Sequence, residues 1–375
     1  MKNIYSKIIF FLILITSIVL IFSKIKQNNF TSEEKNQTIS DTVEDINNLK
    51  PELPSVLPTY KELSQKLYSS NLCILCMYFI QVIIYLYKQK PNKLQYPIIK
   101  TEDILYIINT FLPNNAKIVE LLTYTCSKNL NTYYGGFIIE YTVNSEITSF
   151  IVMRGTQEIC EWSEDFNSKL INPVWLSKYR DIKVHNGFDN IYTSNSPDSI
   201  NLRDQIWNYI NKNTFSNLIV TGHSLGGGLC YLFAADISAN KPELRNKSKI
   251  FSFAGPYTGN KEFVDLILSV DSTSIYSGIF SIINTQDAVP NTKLSNYFRI
   301  PVQTFCFFSS GNFFKKGSVH FPATYMKGLK DNAYIFDENA PYRAACGKTC
   351  NKYNDKQKIF ILLVFMIILE YMLNN

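Results

Sequence analysis

A serine, a histidine and an aspartate drawn from separated stretches of one chain can together activate a hydroxyl for attack on a carbonyl. Ser224 sits in Gly222-His-Ser-Leu-Gly226, behind the apolar run Leu218-Ile-Val-Thr and ahead of Leu229, Tyr231, Leu232 and Ala235 at helical spacing. This Gly-x-Ser-x-Gly spacing suits a sharp turn from strand to helix. The glycines clear room beside the serine, and the helix aims its first N–H groups at it. A nucleophilic serine needs a base, and the chain has only three histidines, His185, His223 and His320. His223 is adjacent to Ser224 inside the turn, where its ring cannot readily swing back onto the hydroxyl. In folds with such an elbow the order along the chain is serine, acid, histidine, which selects His320 over His185. The acid then falls among Asp236, Glu243, Glu262, Asp265, Asp271 and Asp287. Asp236 and Glu243 belong to the elbow helix and its exit, and Glu262 and Asp265 to a further helix. Asp287 follows the apolar stretch 280–284, a strand end of the kind where open α/β sheets carry functional side chains. The sharp reading is therefore Ser224, Asp287 and His320. The plain one is a glycine-rich turn, a capping aspartate and a surface histidine.

The elements that must position these residues follow from periodicity. Residues 136–143 and 148–153 read as two strands joined by the turn Asn144-Ser145-Glu146, and 181–184, 217–221, 250–254 and 280–284 as further strands. Asn201 to Asn213 carries Leu202, Ile206, Trp207 and Ile210 on one stripe of a helix. Helices are also expected over 60–87, 101–112 and from the elbow to about Ala239. Strands alternating with helices after residue 200 predict an α/β fold with a mainly parallel sheet and antiparallel strands at one edge. The second half of the 60–87 run, Leu72 to Tyr87, is uncharged. A helix packed on the sheet is the main expectation for it, with a membrane span as the competing one.

Charge is modest, with a net +6 spread over scattered lysines. That gives no basic face for nucleic acid and a weak attraction to anionic membranes. Ile8 to Phe22 is an unbroken apolar or small run behind Lys2 and Lys7, expected as a signal peptide or signal anchor within 1–23. A polar linker, 24–58, closes on Pro51, Pro54 and Pro58. The catalytic-type domain then spans 59–330, and a tail, 331–375, holds an apolar segment at 359–369. The eight cysteines, Cys73, Cys76, Cys126, Cys160, Cys230, Cys306, Cys346 and Cys350, permit disulfides in a chain entering the secretory route, but spacing leaves the pairing open. Zinc held by the pairs 73/76 and 346/350 is a weaker reading than buried thiols or disulfides. No metal and no cofactor is expected.

The blocks Arg154-Gly-Thr156, Glu161-Trp-Ser-Glu-Asp165, Val184-His-x-Gly-Phe188, Val220 to Gly227, Phe253-Ala-Gly-Pro256 with Gly259-Asn260, and Asn284-x-x-Asp287-x-Val-Pro290 together resemble the class 3 lipases, the fungal triacylglycerol lipase group. The resemblance runs from about 96 to 325. It implies an α/β-hydrolase fold, hydrolysis of lipid carboxylic esters at a membrane or lipid surface, and the triad Ser224, Asp287 and His320. It also implies an oxyanion hole from the N–H groups of Thr156 and Leu225, with the Thr156 hydroxyl assisting. The segment after Thr156, carrying Ile159, Trp162 and Phe166, would be a lid that opens at lipid; a rigid connecting helix is the alternative. The family's Gly-x-Pro-Arg-Val-Gly block is Ala254-Gly-Pro-Tyr-Thr-Gly259 here, without the arginine. The competing function is a catalytically inactive lipase-like fold that binds lipid or a protein partner.

Overall fold

The computed structural model describes residues 51–65, 68–88, 99–109, 111–112, 115–269, 278–300, 303–307 and 319–331. All lie in the second of two compact units, 49–375. The expected anchor at 1–23, most of the linker, and the tail with 359–369, Cys346 and Cys350 lie outside the described residues.

In chain order the elements are α1 (Tyr60–Ser64), α2 (Ser70–Lys88), α3 (Thr101–Ile108), β1 (Ala116–Thr125), β2 (Thr132–Val143), β3 (Glu146–Met153), α4 (Ile159–Asp165), β4 (Leu170–Ile171) and β5 (Val184–His185). They continue with α5 (Asn186–Thr193), α6 (Leu202–Lys212), β6 (Asn217–His223), α7 (Leu225–Asn240), β7 (Ser248–Phe253), α8 (Lys261–Ser269), β8 (Ile279–Asn284), α9 (Ala288–Asn291), β9 (Gln303–Phe307) and α10 (Pro322–Lys330).

Seven strands form one sheet in the order β1-β2-β3-β6-β7-β8-β9. β1, β2 and β3 pair antiparallel, and β3, β6, β7, β8 and β9 pair parallel. Asn144 and Ser145 both have positive φ, 52° and 64°, which closes the β2–β3 hairpin with the twist the strands need. β6, β7 and β8 are buried along their whole length, as parallel strands covered on both faces must be. Leu218 and Val220 join the cluster under α5, α6, α7 and α8, while Ile219 between them joins the one under α2, α3 and α10. The result is three layers, helices on a sheet on helices, the α/β-hydrolase arrangement.

α2 settles the competition over its apolar run. The helix has the length and composition of a membrane span, yet most of it is buried against the sheet. Phe79 meets Phe150 and Phe137 edge-on at 5.3 and 6.1 Å. Gln81, the polar interruption, is buried and accepts the Glu52 N–H at 3.0 Å. The 60–87 run is two helices rather than one, and the expected strand at 181–184 is only the two-residue β5. β1 is a strand that periodicity does not announce: its pattern of intermediate and buried residues has no clean alternation, and two register shifts in its pairing with β2 explain why.

Candidate active site

Four chain segments meet at the carboxyl ends of the parallel strands. β6 runs straight into the turn at Ser224, whose φ of 58° and ψ of −119° lie where L-residues are strained. The turn closes only because its flanking residues lack side chains. A Cβ on Gly222 would lie 2.3 Å from the Gly226 carbonyl oxygen, and one on Gly226 would lie 2.5 Å from that of Met153. The strain lifts the serine clear of the backbone, and Ser224 remains only partly buried.

His320 arrives from the loop before α10. Its Nε2 is 2.8 Å from Ser224 Oγ and its Nδ1 is 2.7 Å from Asp287 Oδ2. A carboxylate only accepts, so the Nδ1–H donates to Asp287 and Nε2 is left to accept the Ser224 hydroxyl. The His320 side chain is 21% exposed and that of Asp287 1%. Asp287 follows β8 and caps α9, its Oδ1 accepting the Val289 N–H at 3.0 Å. Sequence order thus picked three residues that the fold brings together.

Two residues to which the sequence assigns no role, Tyr325 and Asn284, hold this chain of hydrogen bonds in place. The Tyr325 hydroxyl on α10 donates to Asp287 Oδ2 at 2.7 Å and accepts the Asn284 N–H at 3.1 Å. The Asn284 side chain donates to the Val319 carbonyl at 2.8 Å, mooring the residue before His320. Burial keeps the Tyr325 phenol well above its usual range, so it stays a donor. The sequence held only a faint signal for it, a tyrosine one turn into a helix that opens with Pro322.

The other histidines do different work. His223 is fully buried beneath His320, ring centroids 4.8 Å apart, and is hydrogen-bonded to the His320 backbone. Burial, and the neighbouring His320, hold it neutral, well below the usual imidazole range. His185 caps α5, its Nδ1 accepting the Phe188 N–H at 3.3 Å while its ring stacks on Phe188 at 3.9 Å. Burial lowers it to about 4. Asp236, as expected, lies away from the serine, accepting from Arg203 Nε at 2.7 Å and from Trp207 Nε1 at 2.9 Å.

Beside the serine, β3 ends in Arg154-Gly155-Thr156. The fully buried Arg154 forms a two-pronged pair with Glu161, 2.8 and 2.7 Å, and donates to the Tyr134 and Gly155 carbonyls at 2.6 and 2.8 Å. That fixes the backbone entering Thr156. The Thr156 hydroxyl donates to Asp165 Oδ2 at 2.6 Å. Leu225 is the first residue of α7, directly after Ser224. Of the expected lid residues, Phe166 is 45% exposed just past α4. Ile159 and Trp162 lie in α4, and their side chains fall outside what the structure describes. Cys126 and Cys160 are joined by a disulfide, and Cys73, Cys76 and Cys230 are buried free thiols.

Residues 150–297 match the family model described as lipase (class 3). Phospholipase A1-II 3 of Oryza sativa subsp. japonica is 31% identical over 173 residues, covering 40% of this chain and 39% of that protein. Phospholipase A1-IIgamma of Arabidopsis thaliana is 29% identical over 141 residues, 32% of this chain and 34% of that one. The chain thus spans well under half the length of these curated relatives. Among solved structures, lipase II from Rhizopus niveus is 19% identical with a TM-score of 0.42, over 67% of this chain and 82% of that one.

Proposed function

From the premise that the chain belongs to the class 3 lipase family, we propose that it is a serine hydrolase that cleaves carboxylic esters of lipids. Phospholipids come first as substrates, because the curated relatives are phospholipases A1, and acylglycerols second. The observation that carries the reading is the continuous line Ser224 Oγ–His320–Asp287 at 2.8 and 2.7 Å, presented at a strained, solvent-reached turn.

In this reading Ser224 Oγ attacks the acyl carbonyl carbon as His320 Nε2 takes its proton, and Asp287 holds the imidazole in the tautomer that can do so. The oxygen that gains charge is met by the N–H groups of Thr156 and Leu225, donors of a kind worth about 3 kcal/mol each. His320 returns the proton to the departing alcohol, and water repeats the sequence on the acyl-serine. The apolar run Ile8–Phe22 supports delivery to the secretory route or a membrane, and the Cys126–Cys160 disulfide fits an oxidising compartment. The domain is taken as 59–330.

The test is covalent labelling by a fluorophosphonate, followed by a panel running from short esters to phospholipids. Labelling that disappears in Ser224→Ala, with ester hydrolysis lost alongside, supports the enzyme. Folded protein that binds lipid vesicles but neither labels nor hydrolyses would make the chain an inactive binding module instead.

A further inference from the structure

We propose that the segment from Thr156 to Asp165 is a fixed wall strapped by the Cys126–Cys160 disulfide, so that the site is reached without any lid movement and shows no interfacial rise in rate. This rests on the hydrolase reading above and concerns how the same site is reached.

A lid that opens must leave its partners behind, and α4 is tied to the body of the fold through Cys160, Glu161, Glu164 and Asp165. Cys160, in its first turn, is covalently joined to Cys126 at the end of β1. One residue on, Glu161 is fully buried and paired with the equally buried Arg154. Parting them would strand two charges in a space without water. Glu164, also buried, accepts from Ser127 Oγ at 2.5 Å and from Asn190 Nδ2 on α5 at 2.8 Å. The Asp165 backbone is hydrogen-bonded to the His185 ring, and its side chain takes the Thr156 hydroxyl. The backbone itself is pressed home: a Cβ on Gly187 would lie 1.7 Å from the Glu164 carbonyl oxygen.

These ties differ in kind, covalent, ionic, hydrogen-bonded and steric, and they reach three neighbours, the β1–β2 turn, the end of β3 and α5. An amphipathic flap held by apolar contact alone would instead be exchanged readily for lipid contact. With the strap in place the site keeps partial exposure. Ser224 and His320 are both reached by solvent with α4 in place.

The experiment uses the full-length protein and two readouts. The first is the rate of hydrolysis of a short-chain triacylglycerol taken through its solubility limit. The second is hydrogen exchange over 156–165, with and without phosphatidylcholine vesicles. The wild type should show a smooth rate curve and slow exchange that vesicles leave unchanged. The double variant Cys126→Ser/Cys160→Ser should exchange faster there and gain a several-fold rise in rate above the limit. A several-fold break in the wild-type rate, or vesicle-induced exchange, overturns the proposal, as does a variant that exchanges like its parent. If the double variant does not fold, the wild-type measurements decide alone. Failure of fluorophosphonate labelling would remove the hydrolase reading, and the exchange data would still test the wall.

Discussion

The Tyr325 hydroxyl and the Asp287 carboxylate are 2.7 Å apart, and the oxygen Tyr325 donates to is the one that accepts His320 Nδ1–H. Because the same hydroxyl accepts the Asn284 N–H, its hydrogen can point only toward Asp287. Tyr325 and His320 share one loop-and-helix segment, so this bond aligns the His320 ring as it anchors the Asp287 carboxylate. Tyr325→Phe removes both the hydrogen bond to Asp287 and the hydroxyl that accepts the Asn284 N–H. The expected result is a loss of stability of about 1–3 kcal/mol and a fall in kcat of roughly tenfold, with KM little changed. Thermal unfolding and steady-state kinetics on a soluble ester check both.

Arg154 joins stability to site geometry, and two variants separate them. Arg154→Met alone leaves Glu161 buried without its partner, which should cost about 3–5 kcal/mol. Arg154→Met with Glu161→Leu removes both charges and should regain most of that stability. Activity should not return with it. The double variant still lacks the bonds to the Tyr134 and Gly155 carbonyls that set the backbone entering Thr156. Urea unfolding beside kcat for parent, single and double variant makes the comparison. A double variant with parental kcat would show that Arg154 positions nothing.

What could be read from residues alone follows a physical line. Ser224 was legible because an elbow needs glycines at fixed spacing. Asp287 and His320 were legible because the order of strand ends along the chain dictates which loops can meet. The layer order followed from strand–helix alternation. Tyr325 and Asn284 were not legible as partners of the site, since their contacts join residues 38 and 35 positions apart and depend on how α10 docks. The Cys126–Cys160 pairing was hidden for the same reason: it spans 34 positions and forms only when α4 folds back over the β1–β2 turn. α2 was ambiguous because a core helix buried over most of its surface and a membrane helix have the same composition.

Asp165 gives a prediction in pH. Burial, opposed by the Thr156 hydrogen bond and reinforced by Glu161 and Glu164, raises its carboxyl well above the ordinary range. In the unfolded chain it would lose its proton near pH ~4. Above that pH the folded state binds the extra proton, so stability is lost as pH rises until the folded group itself ionises. Asp165→Asn cannot ionise and keeps a carbonyl oxygen for the Thr156 hydroxyl. Its stability relative to the parent should match in acid and grow with pH by up to about 1.4 kcal/mol per unit. Urea midpoints measured from acid to mildly alkaline pH test this, and a constant difference would mean that Asp165 is ionised in the fold.

Gly187 marks where α4 is seated, and a methyl group is the smallest probe of that seat. Its Cβ would fall on the Glu164 carbonyl oxygen, a backbone atom that cannot turn aside as a side chain could. Glu164 is also held by Ser127 and Asn190, so α4 cannot slide away without breaking those bonds. Gly187→Ala should therefore cost at least about 1–3 kcal/mol, more than a helix-favouring substitution at the start of α5 could return. The displacement should travel along α4 to the Thr156–Asp165 hydrogen bond and lower kcat more than KM. A variant as stable and as active as its parent would show that the contact between α4 and α5 is looser than the backbone geometry requires.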